Sequence, residues 1–299
     1  MKSPTRPLIG IFWMLATGAC FVAVTAFVKY LDNSVPAAQA AFLRYVLGLV
    51  FLIPMIKPMR AVTYTKPMMI QFGVRGFVHS LGVIMWFYAM TRIPIAEVTA
   101  MNYLSPVYVT LGAAIFFGER LAARRILAVG IALLGALVIL RPGFRELNDG
   151  HLTMLGTAIF FALSYLMAKK FSDEVPASVV VGMLSVTVTI GLAPFAFAVW
   201  VTPTLTDLGI LFIVACFATL GHLTMTMAFA AAPLTVTQPV TFLQLVWATL
   251  LGVVVFGEAV DSFVLLGGGM IIASVSFITW REAQLRRGAV TPAVPQTKS

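Results

Sequence analysis

Residues 94–119 read PIAEVTAMNYLSPVYVTLGAAIFFGE, and residues 233–258 read PLTVTQPVTFLQLVWATLLGVVVFGE, 139 positions later. Each stretch starts on a proline, runs through enough apolar residues to cross a bilayer, and ends in Phe-Gly-Glu. The register extends well beyond them. Gly82 returns as Gly221 and Gly130 as Gly269 at the same spacing, while Lys29, Val35-Pro36 and Pro54 return as Lys169, Val175-Pro176 and Pro194 at a spacing of 140. Such a repeat far exceeds the roughly 20–50 residues of a solenoid unit. An apolar half-protein written twice is the mark of a transporter built from internal repeats.

Composition places the chain in lipid. Hydrophobic residues make up 60% of its 299 positions and charged residues 10%, with a mean hydropathy of +0.99. Soluble domains carry roughly 25% charged residues. Ten apolar runs, from Leu8–Val28 to Phe263–Trp280, come close to or exceed the roughly 18–20 residues that span a bilayer as a helix. The fourth is Ile95–Phe117 and the ninth Leu234–Phe256. The reading is an all-α polytopic membrane protein of ten transmembrane helices. Cys20 and Cys216 fall inside apolar runs, so no disulfide framework is implied.

The net charge of +9 is a topology signal, not a nucleic-acid signal. With the N-terminus in the cytoplasm, fourteen of the twenty Lys and Arg fall on that side, Lys57, Lys66 and Arg124 among them. Four (Lys29, Arg92, Arg141 and Arg145) fall on the other, and Arg44 and Arg75 lie within helices. The bias puts both termini in the cytoplasm. Five helices per repeat is odd, so the second half enters the membrane upside down. The expected organisation is a first five-helix repeat over residues 1–147, a second, inverted repeat over 148–287, and a disordered tail over 288–299. Inverted repeats set the substrate site near the bilayer midplane, between the halves.

These features resemble the EamA-type family of the drug/metabolite transporter superfamily. The resemblance rests on the five-plus-five repeat and on the Pro94-to-Glu119 and Pro233-to-Glu258 hairpins. It also rests on Pro106 in the fourth helix, whose partner position is Leu245, a departure in the second half. It implies transport of a small solute across a cell inner membrane, in the export direction. Within the family the chain looks most like aromatic amino-acid exporters of the YddG type.

Candidate site residues come from helix faces. Arg75, His79, Gly82 and Trp86 fall at i, i+4, i+7 and i+11, one face of the third helix. A base, an imidazole, a gap and an indole in line read as a cavity wall, or as packing with a single interhelical hydrogen bond at His79. The fourth helix supplies Thr99, Asn102 and Tyr103 beside Pro106, which relieves the carbonyl at residue i−4 of its helical bond. The second half offers Gln238, Thr241, Phe242 and Gln244, with His222 and Thr226 one turn apart on the eighth helix. Arg75, His79 and Trp86 map onto Val214, Ala218 and Met225, so recognition is expected mainly from the first half. His222 serves equally well as a packing residue. Glu119 and Glu258 read as caps of the turn into the next helix, and Lys29 as an anchor or a gate contact. Gly130, Gly135 and Gly267–Gly269 read as packing faces.

The sequence therefore reads as a non-enzymatic carrier of small amphipathic solutes, aromatic or other neutral amino acids foremost, with alternating access around one cavity. A multidrug, nucleoside-type or sugar carrier of the same fold is the alternative. A membrane enzyme acting on lipid-linked substrates is the rival from another class, and it lacks clustered carboxylates or metal ligands. No cofactor, metal, nucleic acid or obligatory protein partner is implied; the partners are the solute and the bilayer. All eleven acidic residues map to loops or helix ends. Uncoupled flux is therefore expected, with His79 and His222 as the buried groups whose ordinary pKa of about 6.5 lies near physiological pH.

Overall fold

A computed structural model describes residues 7–32, 34–117, 123–144, 146–172, 174–232, 240 and 243–290. They form an all-α structure. The helices are α1 (Pro7–Leu31), α2 (Ala37–Gly48), α3 (Ile56–Arg60), α4 (Lys66–Met90), α5 (Ile95–Asn102), α6 (Leu104–Phe117), α7 (Ala123–Leu140), α8 (Asp149–Ser172), α9 (Ala177–Ala198), α10 (Leu205–Ala231), α11 (Leu243–Phe256) and α12 (Ser262–Val290). Among the described residues, eight helical segments are long and apolar enough to cross a membrane, the segment Ala37–Arg60 counted as one.

Two of the ten expected spans differ from a single long helix. The fourth is broken at Tyr103 into α5 and α6, eight and fourteen residues long. The cause is Pro106, which cannot donate to residue 102 and crowds the turn before it. The ninth is described from Leu243 onward as α11, fourteen residues long. The repeated prolines also act differently. Pro54 sits in a 3-10 segment, Leu49–Met55, that joins α2 to α3. Pro194 lies inside α9, which continues past it to Ala198.

Helices of the first half pack mainly on helices of the second. The broadest interfaces join α1 to α10, α4 to α8 and α7 to α12. The first two are repeat-equivalent, and glycine makes both. A Cβ at Gly82 would stand 2.8 Å from the ring of Phe161, and one at Gly221 would stand 3.4 Å from that of Phe21. Phe21 and Phe161 are themselves 140 residues apart, so each repeat seats its own ring on the other's glycine. Gly135 and Gly267 bring α7 and α12 into backbone contact, since a Cβ at Gly135 would meet the Gly267 carbonyl at 2.6 Å. Gly130 and Gly269, expected to be packing positions, have nothing within 4 Å of a Cβ and face open space. Repetition there does not reflect close approach.

One end of the bundle is ionic. Lys29 Nζ reaches Glu258 at 2.5 Å and also donates to the Ile93 carbonyl at 3.0 Å. The Glu258 carboxylate accepts from the Ile95 backbone N–H at 3.0 Å, at the positive end of α5. Gly257 makes this reach, because its φ of +64° ends α11 in the left-handed conformation and turns the chain back. Glu258 is thus a cap, but of a helix in the other repeat and not of the turn that follows it. Arg141 pairs with Asp261, and Glu97 meets His151 Nε2 at 2.6 Å. Gln39 bonds both the N–H and the carbonyl of Val201, at 2.8 and 2.6 Å. Apart from the Lys29–Ile93 bond, each of these contacts crosses between the halves. At the Lys66 end the crossing is apolar, with Phe72 stacked on Phe171 at 4.1 Å among Val175, Val179, Val180 and Met183.

Candidate solute cavity

The site is built on the α4–α8 interface. His79 and Arg75, one turn apart on α4, both turn toward Ser164 of α8. His79 Nδ1 lies 3.1 Å from Ser164 Oγ, and Arg75 Nε donates to the Ser164 carbonyl at 3.2 Å. Arg75 Nη1 donates to the Val180 carbonyl of α9, also at 3.2 Å. Both side chains are buried, so Arg75 does not snorkel to the surface. The His79 ring stacks on Phe161 at 4.9 Å and 26°. Trp86 meets the same phenylalanine edge-on at 6.0 Å, and its neighbour Phe87 at 6.1 Å. His79, Gly82 and Trp86 of the stripe thus share one ring from across the interface, and Arg75 bonds the backbone beside it. The Trp86 indole N–H is buried without a hydrogen-bond partner, a donor left for something else to satisfy.

Two further residues near this face keep accessible surface. Tyr165, its ring 6.1 Å from that of Phe161, is 45% exposed. His222 on α10 is exposed, its ring edge-on to Phe21 at 5.3 Å. His79 lies within electrostatic reach of Arg75, His222 and Arg44, and Tyr165 within reach of Arg75 and Tyr45. Arg44 is buried on α2, its guanidinium over the Tyr45 ring at 4.3 Å. These groups, drawn from α2, α4, α8 and α10, mark the candidate cavity.

The other expected residues divide. Thr99 is buried, and its hydroxyl donates to the Ile95 carbonyl at 2.9 Å within α5. Asn102 leaves its side-chain oxygen buried and unpartnered at the α5–α6 break. Tyr103 packs half-buried against the main core. Gln244 lies against α1, where a Cβ at Gly18 would stand 3.6 Å from its own Cβ. Gln238, Thr241 and Phe242 lie outside the described residues, as does Glu119, and the Thr226 side chain is not described. Trp247, on α11, is 47% exposed.

Arg44, Tyr45, Phe161, Ser164 and Tyr165 escaped the sequence reading. Arg44 carried a signal, a charge within an apolar run. Phe161 carried another, its return of Phe21 at the repeat spacing. Buried imidazoles also need correction: His151 is buried against Glu97, whereas His222 is exposed. Glu97 stands in the first turn of α5 as its position implied, yet it is only 3% exposed. Among the described residues, no group of His, Cys, Asp and Glu is placed to hold a metal ion.

Residues 8–141 and 148–280 each match the EamA-like transporter family. The chain belongs to that family. It is 29% identical to a riboflavin transporter of Vibrio cholerae, over 96% of this chain and 98% of the relative. It is 26% identical to an S-adenosylmethionine uptake transporter of Rickettsia bellii, over 92% and 94%. A pseudopaline exporter of Pseudomonas aeruginosa is 25% identical over 89% and 94%. A solved crystal structure shares the fold with a TM-score of 0.59 and 20% identity, over 93% of this chain and 97% of the other. The chain is a multi-pass membrane transporter of the EamA type. These relatives do not single out the aromatic amino-acid exporters that the resemblance favoured.

Proposed function

We propose that this protein carries a small amphipathic solute with a flat ring across the membrane, by alternating access around the α2–α4–α8–α10 cavity. The observation that carries this reading is the ring cluster of His79, Trp86 and Phe161 beside the accessible Tyr165. Stacked and edge-on faces bind flat rings, and the unpartnered indole N–H supplies a directional donor. Aromatic amino acids fit this description. Flat heterocycles are the second reading, favoured by the riboflavin and S-adenosylmethionine named for the relatives, since both solutes carry fused rings.

The two matched segments serve as inverted repeats in a ten-helix, inner-membrane arrangement with cytoplasmic termini, and the Lys29 end faces the opposite compartment. In the conformation described, the cross-half ion pairs close that end. Transport is facilitative, with direction set by the solute gradient; export is the direction the resemblance implies. Counterflow in proteoliposomes over a panel of tryptophan, phenylalanine, riboflavin, adenosine and a cationic dye tests the reading. Uptake of a ring-bearing member, driven by its own gradient alone, is the expected result. Exclusive uptake of the dye, or accumulation that requires an imposed pH gradient, would replace it.

A further inference from the structure

We propose that the cavity selects a solute bearing an anionic group, a carboxylate or a phosphate, which Arg44 and Arg75 hold while the rings hold its flat part. This rests on the ring-binding reading above and adds the charge of the solute to it. Arg75 lies ~14 Å along α4 from Lys66, and Arg44 lies ~10 Å along α2 from Ala37, at a rise of 1.5 Å per residue. Both therefore sit inside an apolar layer roughly 30 Å thick. Arg44 is 8% exposed and Arg75 4%. An arginine in that layer is costly and pairs with a carboxylate or lines a polar cavity.

Neither guanidinium meets a carboxylate among the described residues. Arg75 spends two donors on neutral carbonyls, which orient the group without cancelling its charge. Arg44 is held by the face of Tyr45, a contact that likewise leaves the charge in place. The ionic pairs shown lie elsewhere: Glu97, Glu258 and Asp261 are engaged at the Lys29 end by His151, Lys29 and Arg141. The groups gathered around the cavity are two guanidiniums, two imidazoles and two phenols. An anion entering this set meets preorganised donors whose desolvation folding has already met, and charge-assisted bonds to arginine are the strong ones. A cation meets like charge. The arrangement favours acids over amines of the same ring system.

Riboflavin and riboflavin 5′-phosphate share a ring and differ in charge, so they form the test pair. Flavin fluorescence quenching on the full-length protein in detergent measures both affinities. The phosphate ester is expected to bind about tenfold tighter or better, with the ratio falling as salt rises. Arg44→Gln should bring the ratio close to one, and Arg44→Lys should retain part of it; melting temperatures confirm that both variants fold. A ratio near one in the wild type, or one that survives Arg44→Gln, overturns the inference. If neither flavin binds, the flat-heterocycle reading fails, and the anion inference is decided by inorganic phosphate and benzoate. Either anion should then raise the melting temperature of the wild type and not of Arg44→Gln. No such stabilisation overturns the inference as well.

Discussion

The Lys29 end and the central cavity handle charge in opposite ways. At the end, acids from one half meet bases from the other: Lys29 with Glu258, Arg141 with Asp261, His151 with Glu97. In the cavity, Arg44 and Arg75 are more deeply buried than Lys29 or Arg141, and carbonyls and a ring face are what hold them. The first arrangement spends charge on joining the halves. The second keeps charge in reserve for whatever enters. Removing one member of a satisfied pair strands its partner and acts on stability, whereas removing Arg44, which meets no carboxylate among the described residues, is expected to act on binding. The two regions should therefore fail in different assays.

The largest effect is expected from Arg44→Glu, which puts a carboxylate where the solute's own anion would sit. Counterflow of the preferred solute should fall about a hundredfold or more, with the melting temperature close to that of the wild type. A protein that transports normally would place Arg44 outside the cavity. Next is Glu258→Ala, which strands Lys29 and uncaps α5. Charge-assisted bonds of this kind contribute about 1.5–3 kcal/mol each, so thermal unfolding should shift down clearly while solute affinity of the folded fraction holds. The swap Lys29→Glu with Glu258→Lys should recover part of the ion pair but not the cap. Recovery of nothing would reduce Lys29 to an anchor.

Smaller changes sharpen the contrast. Trp86→Ala removes one ring and a free donor, and should weaken apparent solute affinity about tenfold with little change in unfolding. Wild-type transport by that variant would confine Trp86 to packing. Orientation is checked with Asn148→Cys in a background lacking Cys20 and Cys216. Asn148 is exposed near the Lys29 end, and an impermeant maleimide should label it from the non-cytoplasmic side alone. Labelling from the cytoplasm would invert the topology and leave the pairing chemistry intact.

Much of the fold was legible because lipid imposes few solutions on a chain. Apolar runs of bilayer length must be helices, and the 139–140 spacing of Gly82, Lys29 and Pro36 with their partners exposes the duplication. Repeat spacing even encoded the contacts of Phe21 with Gly221 and Phe161 with Gly82, which build the α1–α10 and α4–α8 interfaces. It misled where a glycine recurred without close approach, as at Gly130 and Gly269, and where a repeated proline sat in a 3-10 segment in one half and within a helix in the other.

The site was legible only along single helices. One face of α4 could be drawn from period alone, so Arg75, His79 and Trp86 were found. Periodicity places a residue on a face but does not say what faces it. That Ser164 receives both Arg75 and His79, that Phe161 lies between His79 and Trp86, and that Glu258 caps α5 instead of its own turn all depend on which helices lie side by side. The sequence by itself determined a duplicated, helical membrane transporter, since hydrophobicity and repetition act through composition and spacing. Only the tertiary structure decided which charges cancel and which stay available, because Coulomb interactions and hydrogen bonds depend on distances across helices that sequence separation does not record.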